Sequence, residues 1–237
     1  MIETAAPFPA GTVGYITAGT ARYFQFFDSL EATQVPKGTV LRRALGCNPA
    51  KNSNMLVQQM LGDWLWLQGD DHRWQPDLLI RLLSHNVDAV VPLVARWGPP
   101  FHPVIYKEFD PKAGKTLVYT WNEIQVLRDA GQTLVPVAAA GSAGLLVRRH
   151  VLEALVAHHG DPIFRVGGTG PDEIAEDLCM TAAIAALGFD MLCDLTAFMG
   201  HTTSATVEPV VLPDGRLAIT ADIHGGRLLA YTTERSH

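Results

Sequence analysis

Along the first hundred positions the apolar residues fall in blocks whose spacing switches between two and about 3.6, the periods of strand and helix. Residues 12–17 read as a first strand, followed by a small-residue turn at Ala18-Gly19-Thr20. Residues 23–31 read as a helix, Val35-Pro36-Lys37-Gly38 as a turn, and residues 39–45 as a second strand. Met55, Leu56, Gln59 and Met60 stand at helical spacing within residues 52–61. Residues 63–67 are short, apolar and aromatic, which favours a strand. Pro76 suits the first turn of a helix and Asp77 its positive end, so a helix is predicted up to about Ser84. A strand at residues 88–92 follows. This alternation predicts an α/β fold, a mostly parallel central sheet with helices on both faces.

The middle is less regular. Gly98-Pro99-Pro100 interrupts the chain, and Val104-Ile105-Tyr106 and residues 117–121 read as short strands of a hairpin. Residues 134–148 have apolar strand character with Gly141 and Gly144 inside. Helices are predicted at 151–158 and 174–187, a Gly-rich loop suited to a lid at 164–171, and a strand at 190–194. Beyond residue 202 a hairpin is expected around Pro213-Asp214-Gly215. The predicted organisation is a catalytic unit over residues 1–201 with a C-terminal tail or hairpin over 202–237.

The 237 residues suit one large domain. With 18 Lys and Arg against 24 Asp and Glu, the net charge of −6 argues against bulk electrostatic binding to nucleic acid. No apolar run reaches the roughly 18 residues of a membrane span. The opening MIETAAPFPAG lacks the basic-then-apolar pattern of a secretory signal. Cys47, Cys179 and Cys193 are scattered without a CxxC, so the expected setting is the reducing cytoplasm.

Chemistry concentrates in LGDWLWLQGDDHRWQPD, where an apolar strand ends in Gly69, Asp70, Asp71 and His72. Ligands of open parallel sheets sit beyond the carboxyl ends of the strands. Adjacent carboxylates there suit Mg²⁺ or Mn²⁺ held together with substrate phosphates; a solvated, helix-capping turn is the alternative. Glu176 and Asp177 open a helix whose later face is apolar. Capping explains one of the four acids from Asp172 to Asp177, and a general base is the other reading. His201 closes a second apolar stretch and matters if folding brings it to the aspartates. CNPAKNSN offers a capping turn or a nucleotide-contacting loop. Gly141-Ser142-Ala143-Gly144 lacks the GK[ST] of a P-loop. Trp97, before Gly-Pro-Pro, is a candidate platform for a sugar or base, and at least one of Trp64 and Trp66 is expected in the core.

The order of these stretches resembles the GT-A nucleotide-sugar glycosyltransferases, especially the family-2-like enzymes of bacteria and phages. The resemblance runs from about Val13 to His201. KNSNMLVQQML, WLWLQGDDHRWQPDLLIRLL, AAAGSAGLLVRRHVLEAL and EIAEDLCMTAAIAALGFDMLCDLTAFMGH carry it, the second and fourth most specifically. It implies the GT-A fold and a metal-dependent hexosyltransferase moving a sugar from a nucleoside-diphosphate sugar to an acceptor hydroxyl, whether of a glycan, a small molecule or modified DNA. By position it assigns Asp71 and His201 to an Mn²⁺ or Mg²⁺ ion, Asp70 to the metal or ribose, Asn52 to the nucleotide, and Thr17 and Gly19 to the nucleobase. Asp177, with Glu176 beside it, falls at the catalytic base. Gly69 departs from the pattern, because many relatives carry an acid there; Cys179-Met180 stands where a further acid or aromatic is expected. Two other readings stand beside it. One is a phage-type enzyme acting on modified DNA bases, with local charge from Arg42, Arg43, Arg148, Arg149 and His150. The other is an inactive nucleotide- or glycan-binding module. A nucleotidyltransferase fits less well, since GYITAGTARYF lacks a basic Gly-rich loop.

Overall fold

The computed structural model describes residues 1–18, 23–168, 173–204, 206–213, 217–223 and 226–232. The chain begins with β1 (Ile2–Thr4), β2 (Thr12–Thr17), α1 (Phe24–Ala32), β3 (Gln34–Pro36), β4 (Val40–Leu45) and α2 (Pro49–Gln58). Then come β5 (Trp64–Gly69), β6 (His72–Trp74), α3 (Leu78–Ser84) and β7 (Ala89–Val94). The middle holds β8 (Ile105–Asp110), β9 (Lys115–Val118), α4 (Trp121–Asp129), β10 (Leu134–Pro136), β11 (Ala139–Ala140), β12 (Leu146–Arg148) and α5 (Arg149–His159). Last are α6 (Glu176–Ala186), β13 (Met191–His201), β14 (Thr206–Val211), β15 (Leu217–Ile223) and β16 (Gly226–Thr232).

An eight-stranded sheet forms the centre, in the order β10-β13-β7-β12-β5-β2-β4, with β6 attached to β13. β2 runs parallel to β4 and β5, and β7 parallel to β13. Because β5 and β7 are both antiparallel to β12, they are parallel to each other. The mostly parallel sheet therefore matches the expectation, with β12 and β10 as antiparallel insertions. Along β5 the side chains alternate faces. Leu65 and Leu67 join a core with Leu56 of α2, Leu152 and Leu155 of α5, and Met180 and Ile184 of α6. Trp64 and Trp66 enter the opposite core with Phe26 of α1 and Leu79, Leu82 and Leu83 of α3. Helices thus cover both faces. Each such side chain, wholly buried, contributes about 1.5–3 kcal/mol. The buried indoles are also satisfied: Trp64 Nε1 donates to Pro9 O and Trp66 Nε1 to Gly144 O.

Several predicted elements change. Val35 and Pro36, read as a turn, lie in β3, which pairs in parallel with β1. The strand expected at 117–121 ends at Val118, and Trp121 opens a helix. Thr120 and Glu123 form a capping box there, with Thr120 Oγ1 accepting from Glu123 N and Glu123 Oε2 from Thr120 N. The apolar run at 134–148 divides into three short strands, of which β11 belongs to a separate sheet with β8 and β9. The strand expected at 190–194 is much longer and reaches His201. In the tail, β14 and β15 pair as a hairpin with Val211 opposite Leu217, and β16 adds a third strand; the turn at 214–216 lies outside the described residues.

β13 is irregular where it passes β7, with a register shift between Asp194 and Phe198. Asp194, 1% exposed, holds that bulge. Its Oδ1 accepts from the backbone N–H groups of Thr196 and Ala197, and its Oδ2 from Arg81 Nε at 2.9 Å; His85 Nε2 lies 2.9 Å from Oδ2. Burial alone raises this carboxyl, but His85, Thr196 and Arg81 outweigh it and hold the group below its ordinary value. A depressed folded pKa gives stability that is complete above the unfolded value of about 3.9 and is lost as pH falls from there. Asp194→Ala is expected to lower stability by about 2–3 kcal/mol, tempered because Arg81 can rehydrate. Denaturant melts from pH 7 to pH 3 check this: the gap between variant and wild type should narrow toward the acid end.

Candidate active site

The parallel strands β2, β5 and β7 end on one side of the molecule, around a cleft of about 790 Å³. The acidic turn forms one wall. After Gly69 the chain reverses through Asp70 and Asp71 and enters β6, which pairs antiparallel with the end of β13. The register sets His72 opposite His201. Thr202 N donates to Asp71 O, which ties the turn down from the other strand.

Asp71, His72 and His201 converge, with one ligand atom of each lying within 4.8 Å of the others. His201 Nε2 is 3.0 Å from Asp71 Oδ2, and the two imidazoles stack with centroids 4.3 Å apart. His72 Nδ1 is 2.6 Å from Asp71 Oδ1, but without hydrogen-bond alignment. Burial would raise the Asp71 carboxyl; the His201 bond and the adjacent His72 imidazole outweigh it and hold Asp71 well below the usual carboxylate range. These residues fit a divalent cation. His72 is buried, yet neither ring nitrogen has a hydrogen-bond partner. One carboxylate and two imidazoles also form a reasonable face of metal donors.

Gly69 belongs to this cluster. A Cβ built there would stand 2.7 Å from Asp71 Oδ1 and 2.9 Å from His72 Nδ1. The Asp71 and His72 side chains fold back over the glycine, so a side chain at position 69 would have to displace their tips. The neighbouring Asp70 lies at the head of β2, where its Oδ2 accepts from Thr17 Oγ1 at 2.6 Å.

The other wall comes from the start of α6 and the Gly141-Gly144 turn. Asp177 Oδ2 accepts from Ser142 N at 3.2 Å, and its Oδ1 from Leu178 N at 2.7 Å. Desolvation raises the pKa of Asp177; it also raises that of Glu176, assisted by the charge of Asp177. Tyr106 stands near enough that burial and the Asp177 charge both raise its phenol. The short glycine turn, which cannot cradle phosphates as a P-loop does, seats this carboxylate instead. Arg96 and Trp97 border the cleft, and Trp97 is 41% exposed.

Of the residues singled out from sequence, Thr17, Asp70, Asp71, Trp97, Glu176, Asp177 and His201 line this cleft. Asn52 does not. It is 2% exposed, and its Nδ2 donates to Gly46 O, so it braces the Gly46-Cys47 turn at the rim from beneath. Gly19 lies outside the described residues. Arg148 and Arg149 are at the other end of the sheet, beside the start of β5, donating to the backbone oxygens of Val87 and Gly62. They lend the cleft no charge. Sequence reasoning had not assigned His72, Gln68, His102, Tyr106 or Ser142 to the site. For His72 a signal existed, its adjacency to the aspartates; the others are set by folding.

No protein-family model matches the chain, and no curated protein matches it. Solved structures do. A197 from STIV aligns with a TM-score of 0.51 at 13% identity, over 95% of this chain and 99% of that one, which shows a common fold. The mannosyltransferase PcManGT from Pyrobaculum calidifontis, solved with GDP-Man and Mn²⁺, aligns at 0.49 and 13% identity over 81% of this chain and 56% of its own. S. aureus TarS 1-349, solved with UDP-GlcNAc, aligns at 0.48 and 13% identity over 86% and 59%. Among the described residues no helix is long and apolar enough to cross a membrane.

Restoring an acid beside Asp70 is therefore expected to harm the site. If the Asp71, His72 and His201 group holds a divalent cation, Gly69→Ala and Gly69→Asp should each weaken that binding by about tenfold or more, the scale of disturbing a metal site's surroundings. Because only side-chain tips must shift, the melting temperature without metal should change little. Titration calorimetry and thermal melts read the two effects separately.

Proposed function

We propose that the protein is a metal-dependent glycosyltransferase, transferring a sugar from a nucleoside-diphosphate sugar to an acceptor hydroxyl. One observation carries this reading: a group of side chains able to donate to a cation (Asp71, His72, His201) and a desolvated carboxylate (Asp177) face one cleft at the carboxyl ends of the parallel strands. A cation held by the cluster would neutralise the charge that develops on the departing nucleoside diphosphate. Two imidazoles beside one carboxylate favour Mn²⁺ over Mg²⁺, which prefers an all-oxygen octahedron. In this reading the donor nucleoside would lie by Thr17 and Asp70, the acceptor by Tyr106, with Trp97 a platform for a sugar or base at the rim.

Asp177 is the proposed general base. The Ser142 and Leu178 N–H groups fix the carboxylate, and its raised pKa makes it a better proton acceptor than an exposed aspartate. It takes the acceptor hydroxyl proton as the oxygen attacks the anomeric carbon and the sugar–phosphate bond breaks. The binding-module alternative, motivated by Gly69, is weakened because the bare glycine leaves room for the Asp71 and His72 side chains to fold over it. Action on DNA keeps less support, because Arg148 and Arg149, two of the five basic residues invoked for it, donate to carbonyl oxygens away from the cleft.

Release of nucleoside diphosphate from a panel of nucleotide sugars should require Mn²⁺ and vanish in Asp71→Ala; turnover that survives EDTA would overturn the metal assignment. Asp177→Asn should cut kcat by about 10²–10⁴-fold. A raised folded pKa means the buried charge opposes folding at any pH above the unfolded value, so this variant's melting temperature at pH 7 should equal or exceed that of wild type. For the same reason the wild-type rate should decline on acidification from a higher pH than an ordinary aspartate, near 3.9, would give.

A further inference from the structure

Among the described residues, the buried side-chain nitrogens and oxygens lacking a hydrogen-bond partner belong to Gln68, His72 and His102, and all three residues line the one cleft. The metal cluster accounts for His72. Gln68 is the most demanding of the other two, since both its Nε2 and its Oε1 are unpaired while the residue is 2% exposed. Leaving such a group buried and unpaired costs about 1–3 kcal/mol per polar group. A leucine or methionine at this point of an otherwise apolar strand would avoid that cost. The amide is explained if a ligand completes it.

We propose that Gln68 selects the nucleoside of the donor, an inference that rests on the glycosyltransferase reading above. Position assigns the moiety. Gln68 shares the strand face of Trp64 and Trp66, whereas α6, which carries Asp177, packs on the face of Leu65 and Leu67. In register it neighbours Tyr15 of β2, two residues before Thr17, whose hydroxyl holds Asp70. It therefore lies on the nucleoside side of the cleft, away from the reacting sugar. Chemistry narrows the choice further. A carboxamide offers an acceptor and two donors on one planar group. Phosphate oxygens accept only and would leave Oε1 unpaired. A nucleoside carries adjacent donors and acceptors, in its ribose hydroxyls and on the edge of its base. A carboxylate at this position would lose the donors and place a second charge beside Asp70.

The test compares wild type with Gln68→Met, similar in size but apolar, and with Gln68→Glu, each checked for native circular dichroism. Calorimetry measures Mn²⁺ alone, then UDP, GDP and 2′-deoxy-UDP in saturating Mn²⁺. Both variants should bind Mn²⁺ as wild type does and the preferred nucleoside diphosphate about tenfold or more weakly, as expected when a polar contact is removed from a site built for it. Gln68→Met should also melt no lower than wild type without ligand. Discrimination by wild type between UDP and 2′-deoxy-UDP that disappears in Gln68→Met assigns the contact to the ribose; discrimination between UDP and GDP that disappears assigns it to the base. Equal nucleotide affinity in wild type and Gln68→Met overturns the inference alone, leaving the amide to an ordered water. Lost Mn²⁺ affinity in Gln68→Met overturns it as well, because the amide then acts through the metal cluster. Failure of wild type to bind any nucleoside diphosphate overturns the glycosyltransferase reading together with this one.

Discussion

The antiparallel pairing of His72–Trp74 with the end of β13 is the contact on which the rest of the site depends. It sets His72 against His201, bends the two aspartates into a tight turn, and ties that turn down through the bond from Thr202 N to Asp71 O. Strand pairing alone does not hold so short a ladder. Trp74 helps: it packs edge-on against Trp66 and Phe26, and its Nε1 donates to the Thr33 hydroxyl. From the other side, Asp194 fixes the bulge that brings β13 across to β6. The short ladder that carries the two histidines is thus anchored in the apolar core at Trp74.

This arrangement explains a local violation of ordinary packing rules. Buried polar groups in folded proteins are almost always paired, yet unpaired ones occur along this cleft. Elsewhere the chain satisfies far harder cases, as Asp194 and the two tryptophans show. Gln68 is the clearest exception, with neither amide atom hydrogen-bonded, while His72 keeps only a close, unaligned contact with Asp71. Asp177 is the same effect in a charged form, a carboxylate kept in a desolvated place and held by only a few backbone donors. Stability is given up at these positions, which is the pattern expected where a protein keeps a functional site.

Much of this was legible along the chain because local periods report burial. The strands at 12–17 and 64–69 and the helices at 24–32 and 176–186 follow from apolar spacing, and the acidic turn at a strand's carboxyl end pointed to the cleft. Where the reading went wrong, the cause was equally local. The run at 134–148 is apolar throughout, so nothing in its period shows that it divides between two sheets. The helix opening at Trp121 was hidden by a neighbouring strand pattern, although Thr120 and Glu123 announced its cap.

By itself, then, the sequence determined the α/β layering and the strand ends at which a ligand would sit, since burial period and charge are properties of short segments; the candidacy of Asp71, Asp177 and His201 together came from the resemblance of its motifs to a known family. Only tertiary structure decided that Asp71 meets a histidine 130 residues away, that His72 joins them, that Asn52 turns inward, and that the Asp71 and His72 side chains fold over Gly69. The Asp71, His72 and Gly69 outcomes depend on a three-residue strand too short to have a period, and on which distant strand it finds; Asn52 is set by its bond to Gly46 O. Pairings of that kind are settled by packing across the whole molecule, which no window of the chain contains.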